Sequence, residues 1–588
     1  MGRETRWTHD GGDLRTPQVL STWIGRFTPP EGAEAFLSGA PRDRPTFVDS
    51  GSMFLPRESE APLRLPPTLH KPPSLVDLEI PLERPTGRIV QEGAVLAGAE
   101  MVMLTNLADM LRSPREFVRR IVTARRTAGY SRLLYAPGIA TPSNLVLLAY
   151  AGLDLFDDTR VLLEAGWGRL HTEDGFWTNE AAKIACDCAP CLAQEPKPYG
   201  HNALSMLRAL RTVRASLVAG TLRELAERRA VNDSWSVAVL RHFDLREAEW
   251  QEYHAPITGG RTEANAPSSL TRPDILRYRQ RIRERYSKPP STPILLLLPC
   301  SARKPYSESR SHKRFREAVR STERASLVHE VMVTVPLGLV PRELERFHPA
   351  ASYDLAVTGD WSREESHLLR EDLRDFLGRN AYERVIVHLG GEREIVREIL
   401  GDKAVYTVDD HPTDEVSLKQ LAAAVTEAGR DFLPPRWEVR DQEGMRNILR
   451  FQFGTAGEAL PEDLRTNGRF PHVRIFSGGV QVGTFTDRGL VSLTFAGAER
   501  LSRKDAFCIE IEDFSPTGNI FAVGITGATE DIRIGDEVVV RHGRDVRAVG
   551  TAVMTPREMV ELKRGMAVRV RHNVHRESAP GALPGASD

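Results

Sequence analysis

Cysteine is scarce: the 588 residues hold five, at Cys186, Cys188, Cys191, Cys300 and Cys508. An odd, low count in a long chain argues against a disulfide framework and for a reducing interior. Long hydrophobic runs are lacking too. None approaches the roughly 18 residues that a bilayer span needs, and the longest clear one, Ile294–Pro299, has the length of a buried strand. The opening MGRETRWTHDGG has no apolar stretch of the signal-peptide kind. A cytoplasmic protein with no membrane attachment is expected. Charge of one sign is also missing: 79 Lys and Arg stand against 80 Asp and Glu, a net charge of -1. That excludes a chain basic throughout, but a balanced total can hide a local basic patch. Hydrophobic content of 41% and charged content of 27% fit a globular chain. At roughly 150 residues per domain the length suggests about four domains.

Organisation follows from punctuation and periodicity. The first 90 residues are rich in Pro, Gly and Arg and predict loops and short strands. From Val95 to Phe156, strand-like runs alternate with helix-like ones such as Ser113–Ala128, which implies βαβ units and a parallel sheet, open or closed into a barrel. A long helical pattern covers Asn202–Arg229, and a basic helix Arg272–Tyr286 leads to the linker SKPPSTP. The next stretch, to about Gly429, again alternates strands and helices. A small mixed region follows. Between Ala506 and about Asn573, short β runs are split by Gly and Asp turns, the pattern of a small β-barrel. The expected class is α/β multidomain, with bounds at 1–288, 289–430, 431–502, 503–577 and a disordered tail at 578–588.

Three of the five cysteines cluster as Cys186-x-Cys188-x2-Cys191, and His201 opens a helix ten residues on. Three thiolates and one imidazole fill a tetrahedral zinc shell with no open position, so a structural Zn2+ is expected. The plainer alternative is three buried cysteines and an unrelated histidine. A second signal is sharper. The strand ILLLLP ends at Cys300, followed by SARKPYSESRSHKRF. A residue at the C-terminal end of a strand, before a helix, occupies the usual ligand crevice of an α/β sheet. Arg303, Lys304 and His312 lie close in sequence, and nearby cations raise the thiolate fraction of a cysteine. Tyr306, Ser307, Ser309 and Ser311 offer hydrogen bonds. The combination suits a nucleophilic cysteine with acid/base neighbours, although a small buried cysteine after a strand is common.

Pro299, Cys300, Lys304, Pro305, Tyr306, Ser309 and His312 together fit Pro-Cys-x3-Lys-Pro-Tyr-x2-Ser-x2-His, which resembles the signature of the archaeosine synthase family. PLGLVPRELE (336–345) and YDLAVTGDW (353–361) are similar to that family as well. YAPGIATPSNLVLLAYAGLDLFDD and the CDCAPC cluster resemble the tRNA-guanine transglycosylase fold, a TIM-barrel-like domain with a zinc site. GNIFAVGITGATEDIRIGDEVVVRH resembles a PUA domain. The resemblance implies an order of transglycosylase-like domain, α/β synthase core, small α+β domain and RNA-binding PUA barrel. It implies a transferase that adds a nitrogen nucleophile to the nitrile of 7-cyano-7-deazaguanine in the D-loop of archaeal tRNA. The amine donor would be free lysine, glutamine or ammonia. A radical-SAM lyase partner and a homodimer are further implications. On this reading Cys300 attacks the nitrile to give a thioimidate, with Lys304, Tyr306, Ser309 and His312 as catalytic companions, and Tyr353, Asp354, Asp360 and Trp361 line the substrate pocket.

Asp157, in LDLFDD, stands where a transglycosylase nucleophile is expected, and Asp49, in DSGSMF, where its second acidic group is expected. The Gly-Gly loop before the nucleophile strand is replaced by GIATPSN. Base exchange is therefore doubtful, and the domain is expected to hold the tRNA or the deazaguanine, with Asp49 and Asp157 as candidate contacts; ordinary strand-end carboxylates are the plainer and commoner alternative. From Val540 to Arg576 nine Lys and Arg face three acidic residues. Arg541, Arg544, Lys563, Arg564, Arg569 and Arg571 are the expected phosphate contacts. Base exchange through Asp157, or a tRNA-binding scaffold without chemistry, are the competing readings.

Overall fold

Apolar runs bounded by turns become parallel strands in both halves of the chain. The computed structural model describes residues 5–9, 12–23, 35–38, 46–48, 79–80, 87–89, 101–104, 107, 111–355, 360–461 and 463–574. Asp49 and the expected tail lie outside the described residues, as do positions 356–359. The chain divides into two units, Met1–Gln251 and Glu252–Asp588.

In the first unit eight strands form one sheet. They are β1 (Gln18–Trp23), β2 (Ala35–Ser38), β3 (Thr46–Val48), β4 (Glu79–Ile80), β5 (Gly87–Ile89), β6 (Met101–Met103), β7 (Leu133–Ala136) and β8 (Leu155–Asp157). Their order is β3-β2-β1-β8-β7-β6-β5-β4. Every ladder is parallel except β4 with β5. Among the described residues no ladder joins the outer strands β3 and β4. Helix α1 (Pro114–Ala128) starts on a proline, whose missing N–H is no loss at a first turn, and buries Phe117, Val118, Ile121 and Val122. Strand β7 is buried throughout, as a strand covered on both faces should be. Downstream come the hairpin Arg169–Thr172 with Gly175–Thr178, and a long helix, α2 (Pro198–Ala219).

The second unit contains helix α3 (Pro273–Arg285) and a five-stranded sheet. Its strands are β9 (Ile294–Pro299), β10 (Val328–Thr334), β11 (Gly338–Pro341), β12 (Arg384–Val387) and β13 (Ala404–Tyr406), in the order β11-β10-β9-β12-β13. β9 is central and parallel to both neighbours. Its residues Ile294 to Leu298 are fully buried, which accounts for the unbroken apolar run. Only β11 runs antiparallel, as a tight return from β10. Helices α4 (Arg310–Arg320), α5 (Arg363–Arg379) and α6 (Trp437–Phe453) accompany this sheet. A four-stranded antiparallel sheet of Leu464–Asn467, Val473–Ser477, Val480–Phe485 and Val491–Leu493 follows. The last six strands, from Cys508–Ile511 to Met566–Asn573, form one more sheet, in which Cys508–Ile511 pairs parallel with Glu537–His542. Cys508 is buried there.

Candidate functional site

Strand register sets the geometry around Cys300. Pro299 pairs with Val333 across the parallel ladder, so Cys300 and Thr334 come next, abreast at the C-terminal ends of β9 and β10. Successive strand residues alternate faces. The two side chains therefore share a face, and the Thr334 hydroxyl favours the thiolate form of Cys300. Behind Thr334 stand two more hydroxyls. Thr334 Oγ1 bonds the Tyr353 hydroxyl, which lies 2.5 Å from the hydroxyl of the fully buried Tyr306.

Lys304 sits in the loop after Cys300. Its ammonium lies 3.9 Å from the centre of the Tyr353 ring, a cation–π distance, and has no hydrogen-bond partner. Burial pushes the Cys300 thiol up, while Lys304 and Thr334 pull it down and Glu392 adds to the rise. Burial pushes Lys304 down, against the pull of Cys300 and Asp354. The two shifts converge. A thiol and an amine whose proton affinities approach each other can exchange the proton readily. Asp354, which pairs with Arg261, sets a fixed negative charge beside Lys304.

Ser309 caps helix α4, its hydroxyl accepting from the His312 N–H at 3.2 Å. The His312 ring is fully buried with both nitrogens engaged. Nε2 donates to the Pro299 carbonyl at 3.0 Å, and Nδ1 accepts from Arg342 at 2.9 Å. Burial, then Arg342, drives its pKa down to about 2, so the ring is neutral. Arg342 is fixed by Glu330 at 2.6 Å and Glu345 at 2.8 Å. His312 thus grips the peptide unit just before Cys300. Asp360 is exposed and Trp361 packs, half-buried, against the core. Thr334 and Arg342 escaped the sequence reading. Thr334 lies in an ordinary strand run and Arg342 inside PLGLVPRELE, noted only for its likeness, and only strand pairing and packing reveal their partners.

In the first unit, Asp157 ends strand β8 and is buried. Its carboxylate accepts from the Tyr135 hydroxyl at 2.9 Å, the Gly138 N–H at 2.8 Å and the Thr159 N–H at 2.9 Å. Burial nevertheless raises its pKa. The Gly138 contact shows what the carboxylate does here: it holds the GIATPSN loop.

Cys186, Cys188, Cys191 and His201 converge, their ligand atoms all within 4.8 Å of one another. The three sulfurs lie 3.4, 3.4 and 3.3 Å from His201 Nδ1. Nε2 donates to the His171 carbonyl at 3.0 Å, which leaves the Nδ1 lone pair facing the thiols. In a zinc tetrahedron the S to N edge is about 3.5 Å, so the donor set fits a four-coordinate soft metal. Burial first, then the neighbouring thiols, pushes Cys191 up to about 12.

Of the six basic residues expected on RNA, Arg571 pairs with Glu537 and Arg541 with Glu510 and Asp505. Lys563 reaches the Ile525 carbonyl at 3.4 Å. Arg544 and Arg569 are exposed and Arg564 is half-buried.

Comparison with known proteins places these features. The family described as Domain of unknown function (DUF5591) matches residues 275–425, and the PUA domain matches 514–574. The archaeosine synthase subunit alpha of Methanosarcina acetivorans is 34% identical over 83% of this chain and 82% of its own length. The archaeosine synthase of Haloferax volcanii is 35% identical over 81% of this chain and 82% of its own. The chain belongs to the archaeosine synthase family. A more distant relative of the family is the tRNA-guanine(15) transglycosylase of Methanothermobacter thermautotrophicus, 25% identical over 78% of this chain and 68% of its own. The DUF5591 match covers strand β9, Cys300 and all of the residues gathered around it except Arg261.

Proposed function

We propose that this chain is a tRNA-modifying transferase of archaeosine formation. Its substrate is the nitrile of 7-cyano-7-deazaguanine in tRNA, and Cys300 is the nucleophile. One observation carries the reading: Cys300, Lys304 and Thr334 meet at the C-terminal ends of two adjacent parallel strands, with proton affinities drawn toward each other.

The steps balance. Lys304 as free amine takes the thiol proton. The Cys300 thiolate adds to the nitrile carbon, forming a C–S bond while one π bond of the nitrile opens onto nitrogen. That nitrogen takes the proton from the Lys304 ammonium, which leaves a thioimidate. An amine then adds to the same carbon, the C–S bond breaks, and an amidine is released as the thiolate is reprotonated. Covalent catalysis divides one hard addition into two easier ones. Thr334 donates a hydrogen bond to the thiolate, and the tyrosine hydroxyls behind it polarise that donor. His312 is a positioning residue on this reading: it is neutral and fully bonded, and it fixes the Pro299 carbonyl.

The first unit is read as a transglycosylase-like barrel that holds RNA rather than exchanging a base. Its Asp157 carboxylate is committed to three internal donors. Cys186, Cys188, Cys191 and His201 would hold a zinc ion, which when bound supplies structure and no open coordination position. The PUA match and the exposed Arg544 and Arg569 support tRNA binding. Free lysine, glutamine-derived nitrogen and ammonia are the candidate donors.

Nucleoside mass spectrometry tests the whole. The protein is incubated with tRNA bearing the nitrile base and with lysine, glutamine or ammonium in turn. One donor should add its mass to the base, and Cys300→Ala should abolish the gain while tRNA binding persists. Turnover retained by Cys300→Ala would exclude the thioimidate.

A further inference from the structure

A cavity of about 500 Å3 opens in the second unit, walled by helix α4, the 3-10 turn after Pro341, helix α6 and the loop preceding Val473. Cys300, Lys304 and Thr334 do not line it, although Arg342, which holds His312, does. Val328 and Glu330 line it, at the start of strand β10, whereas Thr334 ends that strand beside the nucleophile.

The charges of the wall are unevenly matched. Arg342 is neutralised by Glu330 and Glu345, and Arg440 meets Glu443 at 3.3 Å. Arg316, Arg320 and Arg469 have no ion pair within 4 Å among the described residues, although Glu330 and Glu345 also act on Arg316, and Glu330 and the lining Asp441 on Arg320. Arg440 Nε and Ser307 Oγ are buried in the wall without a hydrogen-bond partner. Buried donors without partners are uncommon and point to a missing acceptor. The aromatics are arranged to match. Trp437 is half exposed, with the Arg320 guanidinium 5.8 Å from its ring. Phe470 carries Arg346 at 3.5 Å. Guanidinium forks suit phosphate, and a flat exposed indole suits a base.

We propose that this cavity is a nucleotide subsite for the tRNA, taking one unpaired nucleotide with its phosphate on Arg316 and Arg469 and its base against Trp437. The proposal rests on the tRNA reading above. It adds a contact remote from both the nucleophile and the PUA barrel. The subsite would hold a nucleotide other than the one being modified and so help to fix the RNA over Cys300.

The test uses the full chain and end-labelled tRNA, with affinity read by anisotropy across a salt series. Three proteins are compared: wild type, R316A/R469A and W437A. The rate of Cys300 alkylation and the melting curve report folding. Arg469 is exposed, so R469A alone serves if the double variant melts early. The double variant should bind about tenfold more weakly, with a log–log salt slope shallower by about 0.7, the loss of one neutralised single-stranded phosphate. W437A should lose at least about fivefold, through stacking, with the slope unchanged. Wild-type affinity and slope in both variants would overturn the subsite and leave the tRNA reading standing. No binding by wild type would end both. Guanosine 5′-monophosphate that binds wild type but not the double variant, with tRNA affinity equal in the two, would assign the cavity to a free nucleotide and overturn the proposal. The same pattern with free lysine would assign it to an amino acid and overturn the proposal equally.

Discussion

At the scale of single residues, the site depends on how a buried thiol loses its proton. Burial raises the Cys300 pKa, and Lys304 and Thr334 oppose that rise. Removing the hydroxyl in Thr334→Val leaves burial less opposed, so the thiol pKa should climb further. Alkylation of Cys300 by iodoacetamide at neutral pH should slow severalfold, because only the thiolate reacts and less of it is present. The pH profile should move to higher pH, and the rates should converge once both thiols are ionised. Thr334→Ser should restore the profile. A profile that stays put in Thr334→Val would remove Thr334 from the mechanism. Much of this site was legible in the sequence, because Cys300, Lys304, Tyr306, Ser309 and His312 fall in one short segment. What was not legible is what each does. His312 reads as an acid or base by residue type, yet its two nitrogens are committed to Pro299 and Arg342. Arg342 comes from 30 residues downstream, and no local pattern announces it.

At the scale of elements, the central strand β9 was plain from its composition, since a strand buried on both faces shows no alternation. The return strand β11 was harder. It is short, and it is absorbed in a segment whose family likeness drew more notice than its geometry. Gly338 begins it at φ +73°, and a Cβ there would stand 2.1 Å from Asp372 Oδ2. Asp372 cannot easily yield, because Arg279 and Arg283 hold it at 2.9 and 2.7 Å. Gly338→Ala should therefore destabilise the second unit by about 1–3 kcal/mol, read as a lower denaturant midpoint. A midpoint equal to wild type would show that the hairpin relaxes freely. The register that sets Thr334 beside Cys300 belongs to this scale as well. Strand pairing is non-local, so the sequence contained both residues without disclosing that they are neighbours.

At the scale of the molecule, the cysteine cluster falls in the first unit and Cys300 in the second, and the division comes at Gln251/Glu252 rather than at the expected 288/289 bound. The Cys186, Cys188, Cys191 and His201 cluster makes a prediction for the first unit. Purified protein should carry close to one zinc per chain by elemental analysis, and a strong chelator should lower the melting temperature of that unit; Cys188→Ser should do the same without chelator. Full stability in the metal-free protein would contradict a structural role. The second unit has its own clamp. Glu252 bonds Arg277 of helix α3 at 2.6 Å and Arg533 of the PUA-matched segment at 2.8 Å. These cations outweigh its burial and hold its pKa at about 2, below the usual 4.5. A depressed carboxylate stabilises the fold above its unfolded pKa and loses that contribution as pH falls through the folded value. The clamp should therefore weaken between about pH 4.5 and 2, by on the order of 3 kcal/mol in all. Glu252→Gln should flatten that part of the acid-unfolding curve, and an unchanged curve would assign the loss elsewhere. The same clamp bears on how the protein can be dissected. The PUA match begins at residue 514, a tempting place to shorten the chain. Such a cut would strip Arg533 from Glu252, and Glu537 from the Leu493 N–H that it accepts at 2.8 Å. The rest of the second unit would then carry a raw polar seam where a sealed joint had been, so the PUA-matched segment is masonry for the unit that holds Cys300.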